Sequence, residues 1–144
     1  LRCVAGLEQA DAGAIEIAFA IPAHPVAVAV VAHPHPLFGG AMENKVVTTV
    51  ARAFTDAGAA TFRFNFRGVG TSEGRHDEGR GETDDFLEVA AHAARAAGEL
   101  PLWMAGFSFG GGVALRASGR APFAPVKPRR PRRSSSPSRR RPAP

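Results

Sequence analysis

Residues 102–112 have the sequence LWMAGFSFGGG, in which a short apolar run leads into a serine flanked by glycines. The serine, Ser108, has Gly106 and Gly110 on either side and fits the pattern G-x-S-x-G. This pattern is typical of a nucleophile elbow, a sharp strand-to-helix turn that raises the serine oxygen above the end of a sheet. Small residues are needed because neighbouring backbone packs against the positions two before and two after the serine. The segment therefore predicts a strand over 102–107, a catalytic Ser108 and a helix from 110.

The same turn would provide a hydrogen-bond donor. The N–H of Phe109 would lie at the N-terminus of the helix, where it could face negative charge that develops on a carbonyl oxygen. The pattern alone is short enough to occur by chance. The apolar strand before it and the helix-forming segment after it supply the context that the chemistry requires, and we predict Phe109 as one oxyanion donor.

A second turn-rich segment, HPHPLFGG at residues 33–40, could supply the other donor that acyl transfer needs. Its two prolines have no N–H to give. The donors that remain near the strand end are His35, Leu37 and Phe38. We favour Leu37, because the proline before it fixes the chain.

The two histidines of this segment have two interpretations. His33 and His35 could bind a metal ion, but two ligands without a nearby third make a poor zinc site. The alternative is that they cap and rigidify the loop. We favour the second interpretation and expect no metal site and no cofactor, since the sequence also lacks G-x-x-x-x-G-K-[ST] and G-x-G-x-x-G.

Strand-like and helix-like segments alternate along the chain. Residues 59–66 (AATFRFNF) alternate strictly and place three phenylalanines on one face of a strand. Residues 44–57 have an apolar stripe at helical spacing, with Asn44 as the predicted N-cap. The stripe consists of Val46, Val47, Val50, Ala53 and Phe54. The other predicted elements are strands at 14–21, 26–33 and 102–107 and helices at 82–97 and from 110. This order predicts an α/β fold, with a mostly parallel sheet and helices on both faces. Residues 68–81 contain five glycines and are predicted to form a long, mobile loop.

The charge is divided between two regions. The net charge of +5 conceals a segment from residue 120 to 144 with eight Arg, one Lys and no acidic residue. The nine basic and thirteen acidic residues that remain give residues 1–119 a net charge of −4. The tail also contains seven of the twelve prolines and cannot form a core. We predict one domain over 1–119, followed by a disordered basic tail over 120–144.

Three segments together resemble a known family. HPHPLFGGAMENKVV, FRFNFRGVGTSEG and GFSFGGG, which begin at residues 33, 62 and 106, are similar to small bacterial proteins of the α/β-hydrolase superfamily. Those proteins are related to dienelactone hydrolase and to serine-peptidase-like hydrolases, and the resemblance covers roughly residues 15–118. It implies a Ser–Asp–His triad in that chain order and ester, thioester or related acyl substrates. On this resemblance Ser108 is the nucleophile, and Phe109 and Leu37 form the oxyanion hole.

The chain departs from the family pattern after Ser118, where it has no Asp, Glu or His. The triad therefore cannot be completed in the usual way. Upstream groups at His33, His35, His76 or Asp77 could substitute, but their spacing does not predict it. We expect that residues after about 119 are non-native, through a frameshift or truncation, and that this form is inactive.

The remaining expectations concern partners and location. Cys3 is the only cysteine, so an intrachain disulfide is impossible, and no apolar run is long enough to span a membrane. We predict a cytoplasmic protein with a small-molecule acyl substrate, no membrane partner and no specific nucleic-acid partner; the oligomeric state is left open. The alternative is a nucleic-acid-binding protein that uses its basic tail. The acidic body disfavours it, as does a tail whose only aromatic residue is Phe123.

Overall fold

The computed structural model of the chain describes residues 3–10 and 13–120. In chain order the strands are β1 (Cys3–Ala10), β2 (Gly13–Ala20), β3 (Ala27–Ala32), β4 (Ala59–Phe64) and β5 (Leu102–Gly106). The helices are α1 (Lys45–Asp56), α2 (Arg80–Ala97) and α3 (Phe109–Arg120), and a 3₁₀ turn covers Pro36–Phe38. Arg120, predicted to begin the tail, is instead the last residue of α3. The rest of the predicted tail, residues 121–144, lies outside the described residues.

The strands form one mixed sheet in the order β1-β2-β4-β3-β5. β3 pairs in parallel with both β4 and β5, whereas β2 runs antiparallel to both β1 and β4. Of the five strands in the described residues, four therefore point in the same direction, and the predicted mostly parallel α/β sheet is confirmed. The crossover helices α1 and α2 connect the parallel strands, as parallel pairing requires. β1 was not predicted.

Buried apolar side chains lie on both faces of the sheet. On one face, Phe62, Phe64 and Phe66 are fully buried in the core that α2 and α3 cover. On the other face, Val31 of β3 packs against α1 through Val47. The predicted alternation of β4 and the predicted helices on both faces are thus confirmed. Every residue of β3 is buried, as expected for a strand covered on both sides.

Helix α1 begins where its cap residue predicts. The side-chain oxygen of Asn44 accepts a hydrogen bond from the N–H of Val46 at 3.0 Å. The apolar stripe differs from the prediction, because Val46 is 39% exposed and Ala53 is also exposed. The stripe that faces the sheet is Val47, Val50, Ala51 and Phe54. Among the described residues, no helix combines the length and apolar character needed to cross a membrane.

Candidate active site

Ser108 lies on a sharp turn between β5 and α3, at the carboxyl end of the strand. Its φ angle is 55°, in the left-handed region that non-glycine residues rarely adopt. The Ser108 carbonyl accepts the N–H groups of Gly111 at 2.9 Å and Gly112 at 3.2 Å, so α3 begins immediately. The serine is exposed on this strand–turn–helix segment. Residues 106–110 are called the Ser108 turn below.

The two glycines of the motif are needed for steric reasons. A Cβ atom on Gly106 would overlap the carbonyl group of Gly110. A Cβ atom on Gly110 would overlap the carbonyl oxygens of Ala32 and His33, at the end of β3. All of these neighbours are backbone atoms that cannot rotate away. Gly106 is therefore required by the tightness of the Ser108 turn itself, and Gly110 by the close approach of that turn to the end of β3.

The 33–40 loop lies against the Ser108 turn, as the motifs predict. Phe107 N–H donates to the carbonyl of Ala32 at 3.1 Å, which ties the turn to the end of β3. The ring of His35 lies 4.7 Å from the ring of Phe109, measured between centroids. The structure thus brings the two predicted segments together at the carboxyl ends of adjacent parallel strands, where α/β sheets place their ligands.

Two of the three loop N–H groups that were predicted as possible oxyanion donors already have hydrogen-bond acceptors in the structure. The N–H of Leu37 donates to Nδ1 of His35 at 3.2 Å, and the N–H of Phe38 donates to the His35 carbonyl at 3.1 Å. Both are therefore engaged inside the 3₁₀ turn. Within residues 13–120, the N–H groups of His35 and Phe109 have no hydrogen-bond acceptor. Phe109 is the first residue of α3, where amides lack an intrahelical partner.

His33 has a structural environment. It is fully buried, its Nδ1 bonds to the carbonyl of Pro34 at 2.7 Å, and its Nε2 accepts the N–H of Phe66 at 3.1 Å. An amide N–H can only donate, so Nε2 must be unprotonated and Nδ1 must carry the proton. Burial lowers the pKa of His33, and the bond to Pro34 offsets this only in part. These contacts fit the capping interpretation. Within the part of the chain that the structure describes, no three His, Cys, Asp or Glu side chains are grouped to hold a metal ion.

We expect acid to destabilise the fold through His33. Because its pKa is lowered from 6.5 in the folded state, the unfolded chain binds the proton first. The contribution of neutral His33 to the free energy of unfolding is therefore complete at neutral pH. It falls as the pH drops through about 6.5, by up to about 1.4 kcal/mol per pH unit. Denaturant unfolding at neutral and mildly acidic pH measures this loss. It should shrink in His33→Gln and persist in the exposed control His24→Gln; an identical loss in both variants would refute the assignment.

The glycine-rich loop is fixed to β2 by hydrogen bonds, which the prediction of a mobile loop did not anticipate. Thr71 N–H donates to the Glu16 carboxylate at 2.9 Å, and Ala14 N–H donates to the Glu73 carboxylate at 2.9 Å. Four of the five glycines have φ angles between 55° and 94°. The glycines therefore provide left-handed turns in an ordered loop, and their number does not indicate freedom.

The start of the loop is held by an ion pair. The guanidinium of Arg67 lies 2.7 Å from Asp85 Oδ1, and the Arg67 N–H donates to Asp85 Oδ2 at 3.0 Å. The side-chain hydrogen bonds to Asp85 raise the pKa of the Arg67 guanidinium, and the Asp85 side chain is only 1% exposed. Arg67 thus orders the loop, which is the commoner role for such a residue.

The end of the loop contains a histidine–carboxylate pair that the sequence did not indicate. Nδ1 of His76 lies 3.0 Å from Oε2 of Glu82, a side chain with no solvent exposure. The His76 ring lies against the rings of His35 and Phe109. Within residues 13–120, the Ser108 hydroxyl has no hydrogen-bond partner, so none of the upstream histidines contacts it as a base would.

This sheet, with its strand order and its serine turn, defines an α/β-hydrolase fold. The chain belongs to the family described as serine aminopeptidase, S33, whose model matches residues 23–126. The predicted superfamily is therefore confirmed.

Solved structures and a curated relative agree. A homologue of α/β serine hydrolases from Coxiella burnetii is 40% identical, with a TM-score of 0.76 over 80% of this chain and 56% of its own. XC6422 from Xanthomonas campestris, described as an α/β serine hydrolase without a lid, is 43% identical, with a TM-score of 0.76 over 82% of this chain and 56% of its own. The uncharacterized protein RP471 of Rickettsia prowazekii (strain Madrid E) is 41% identical over 76% of this chain and 47% of its own. The chain thus spans about half the length of these relatives.

Proposed function

We propose that Ser108 is the nucleophile of a serine hydrolase that acts on a small ester, thioester or related acyl substrate. The observation that carries this proposal is the Ser108 turn, with an exposed serine at φ 55°, packed against a loop whose His35 amide, like the Phe109 amide, has no acceptor within residues 13–120. Such a serine can attack a carbonyl carbon, and fixed N–H groups can then donate to the oxygen on which negative charge develops. The acyl class follows from this chemistry and from the family.

The oxyanion hole that we propose consists of the N–H groups of Phe109 and His35. Leu37 was favoured from the sequence, but its N–H is already bonded to His35 Nδ1. A substrate oxygen would have to displace that bond, whereas it could bind the His35 amide without breaking a hydrogen bond within the described residues. The ring contact between His35 and Phe109 supports the choice, because it brings the two donor residues to the same side of the turn.

The base is the part of the mechanism that the described residues do not supply. Attack requires that the Ser108 proton pass to a group within hydrogen-bond reach. Since none of the described side chains bonds to the Ser108 hydroxyl, we propose that turnover by this chain is slow or absent. The oxyanion hole and the strained turn would still leave the serine reactive toward an activated phosphonate.

A fluorophosphonate probe tests the proposal. We expect slow labelling at one site, Ser108, located by mass spectrometry of the digested protein. Ser108→Ala should abolish the label, and Ser118→Ala, which removes an exposed hydroxyl at the far end of α3, should leave it unchanged. If Ser108→Ala is labelled like the wild type, Ser108 is not the nucleophile.

A further inference from the structure

Three aromatic rings meet beside the Ser108 turn. The ring centroids are 4.7 Å apart for His35 and Phe109, 5.0 Å for His35 and His76, and 5.7 Å for His76 and Phe109. Two of these residues are the ones whose backbone N–H groups form the proposed oxyanion hole. The third, His76, is neither the proposed nucleophile nor a proposed oxyanion donor, although it contacts both donor residues.

His76 lies against a buried carboxylate. Oε2 of Glu82 lies 3.0 Å from Nδ1 of His76, and the carboxylate also accepts the N–H groups of Asp77 at 2.9 Å and Gly79 at 3.0 Å. Glu82 lies in the first turn of α2 and has no solvent exposure, so it cannot shift without breaking these bonds. The imidazole therefore lies against a rigid element of the core, although His76 itself is in a loop and its Nδ1 has no hydrogen-bond partner among the described residues.

The His35 ring is also constrained from its other sides. Its Nδ1 accepts the Leu37 N–H, and its ring lies 4.8 Å from that of Phe38. The Leu37 amide binds the imidazole, and the His35 carbonyl accepts the N–H groups of Phe38 and Gly40, so we expect a shift of the ring to move the His35 backbone as well. The other rings that contact the His35 ring are those of Phe109 and His76.

We propose that His76 is a positioning residue that sets the separation between the two oxyanion donors, which it does through ring contacts with His35 and Phe109. The inference rests on the proposed function. The physical reason is that oxyanion donors act only when both lie within about 2.7–3.1 Å of the developing charge. A displacement of about 1 Å in a catalytic group can reduce a rate about 100-fold. A ring that contacts both donor residues and lies against a rigid part of the core is suited to limit such a displacement.

Two variants of His76 test this role in the full chain. His76→Ala removes the ring, and we expect the maximal rate of fluorophosphonate labelling at Ser108 to fall about 10- to 100-fold. The concentration of probe that gives half of that rate should not change, because the donors act on the transition state. His76→Phe keeps the ring contacts, leaves Glu82 its two backbone donors and should restore the rate to within about threefold of the wild type.

If His76→Ala only destabilised the fold, the folded protein would still be labelled at the wild-type rate. Thermal unfolding of each variant shows whether it is folded before its labelling is compared. If folded His76→Ala is labelled at the wild-type rate while Ser108→Ala is not labelled, the inference is wrong and the proposed function stands. Labelling of Ser108→Ala would instead overturn the proposed function.

A second measurement does not depend on reactivity. The amide ¹⁵N–¹H resonances of His35 and Phe109 respond to the positions of the two donors and also to the ring current of a neighbouring aromatic side chain, which His76→Phe retains. We expect both resonances to shift in His76→Ala and to return toward the wild-type positions in His76→Phe. Unchanged resonances in folded His76→Ala would overturn the inference.

Discussion

Replacing Gly110 by alanine is expected to destabilise the fold by about 3 kcal/mol or more, a large value for one added methyl group. The new Cβ atom would lie 2.5 Å from the Ala32 carbonyl oxygen and 2.7 Å from the Ala32 carbonyl carbon, and it would also overlap the His33 carbonyl oxygen. Those atoms belong to the end of β3, which pairs with strands on both sides. Relief of the overlap would therefore require α3 to move away from the sheet. Urea or thermal unfolding of the purified variant measures the loss.

Gly112→Ala is the matched control for this prediction. It lies in the same helix two residues later, and its added Cβ would have no atom within 4 Å. Alanine is favoured over glycine inside a helix by up to about 1 kcal/mol, so this variant should be as stable as the wild type or more stable. The two substitutions make the same chemical change in one helix. If Gly110→Ala is as stable as Gly112→Ala, helix propensity dominates and the contact with β3 does not.

The elements predicted well from the sequence are those whose pattern and environment agree. The alternation of 59–66 is found in β4, with its phenylalanines in the core, because one face of that strand packs under α2. The strand over 26–33 and the Asn44 cap were also predicted correctly. A strand buried on both faces needs an apolar run, and an N-cap needs a side chain that accepts hydrogen bonds, so both can be recognised in the sequence. At the Ser108 turn, Gly106 follows the same rule because its contact is with Gly110 four residues later, whereas Gly110 is required by the carbonyls of Ala32 and His33, far away in the chain.

The elements that were missed depend on contacts between distant parts of the chain. β1, with the sequence CVAGLEQA, has few β-branched residues and forms by pairing with β2 at the edge of the sheet. The loop over 68–81 was predicted to be mobile because of its glycines, but carboxylates of residues such as Glu16 and Glu82 hold its amides. Nothing in the spacing of these residues indicates that they meet.

The same reason explains the choice of oxyanion donor. Three amides in the 33–40 loop were possible, and the sequence favoured Leu37 because Pro36 precedes it. A hydrogen bond from Leu37 N–H to the side chain two residues earlier changes that choice, and it depends on the rotamer of His35. In that rotamer the ring contacts Phe109 and His76, which come from other parts of the chain.

Asp85→Ala is expected to destabilise the fold by about 3–5 kcal/mol, because it removes one partner of a buried ion pair. The Asp85 side chain is 1% exposed and that of Arg67 is 16% exposed, so water cannot fully replace the lost carboxylate. The Arg67 guanidinium and its backbone N–H would both lose their acceptor. The loop that begins at Arg67 would then be released at its start. Unfolding in urea should show a lower midpoint with a similar slope.

Asp84→Ala separates this effect from the loss of one negative charge near the N-terminus of α2. Asp84 is adjacent in sequence and also has an arginine partner, Arg120, at 2.9 Å. Its side chain is 53% exposed and that of Arg120 is 56% exposed, so solvent screens the pair and its loss should change stability by less than about 1 kcal/mol. Both variants remove one carboxylate within the first two turns of the helix, so any contribution from the helix dipole is shared. The difference between them therefore measures the burial of the Arg67–Asp85 pair, and equal losses would mean that this pair does not hold the loop.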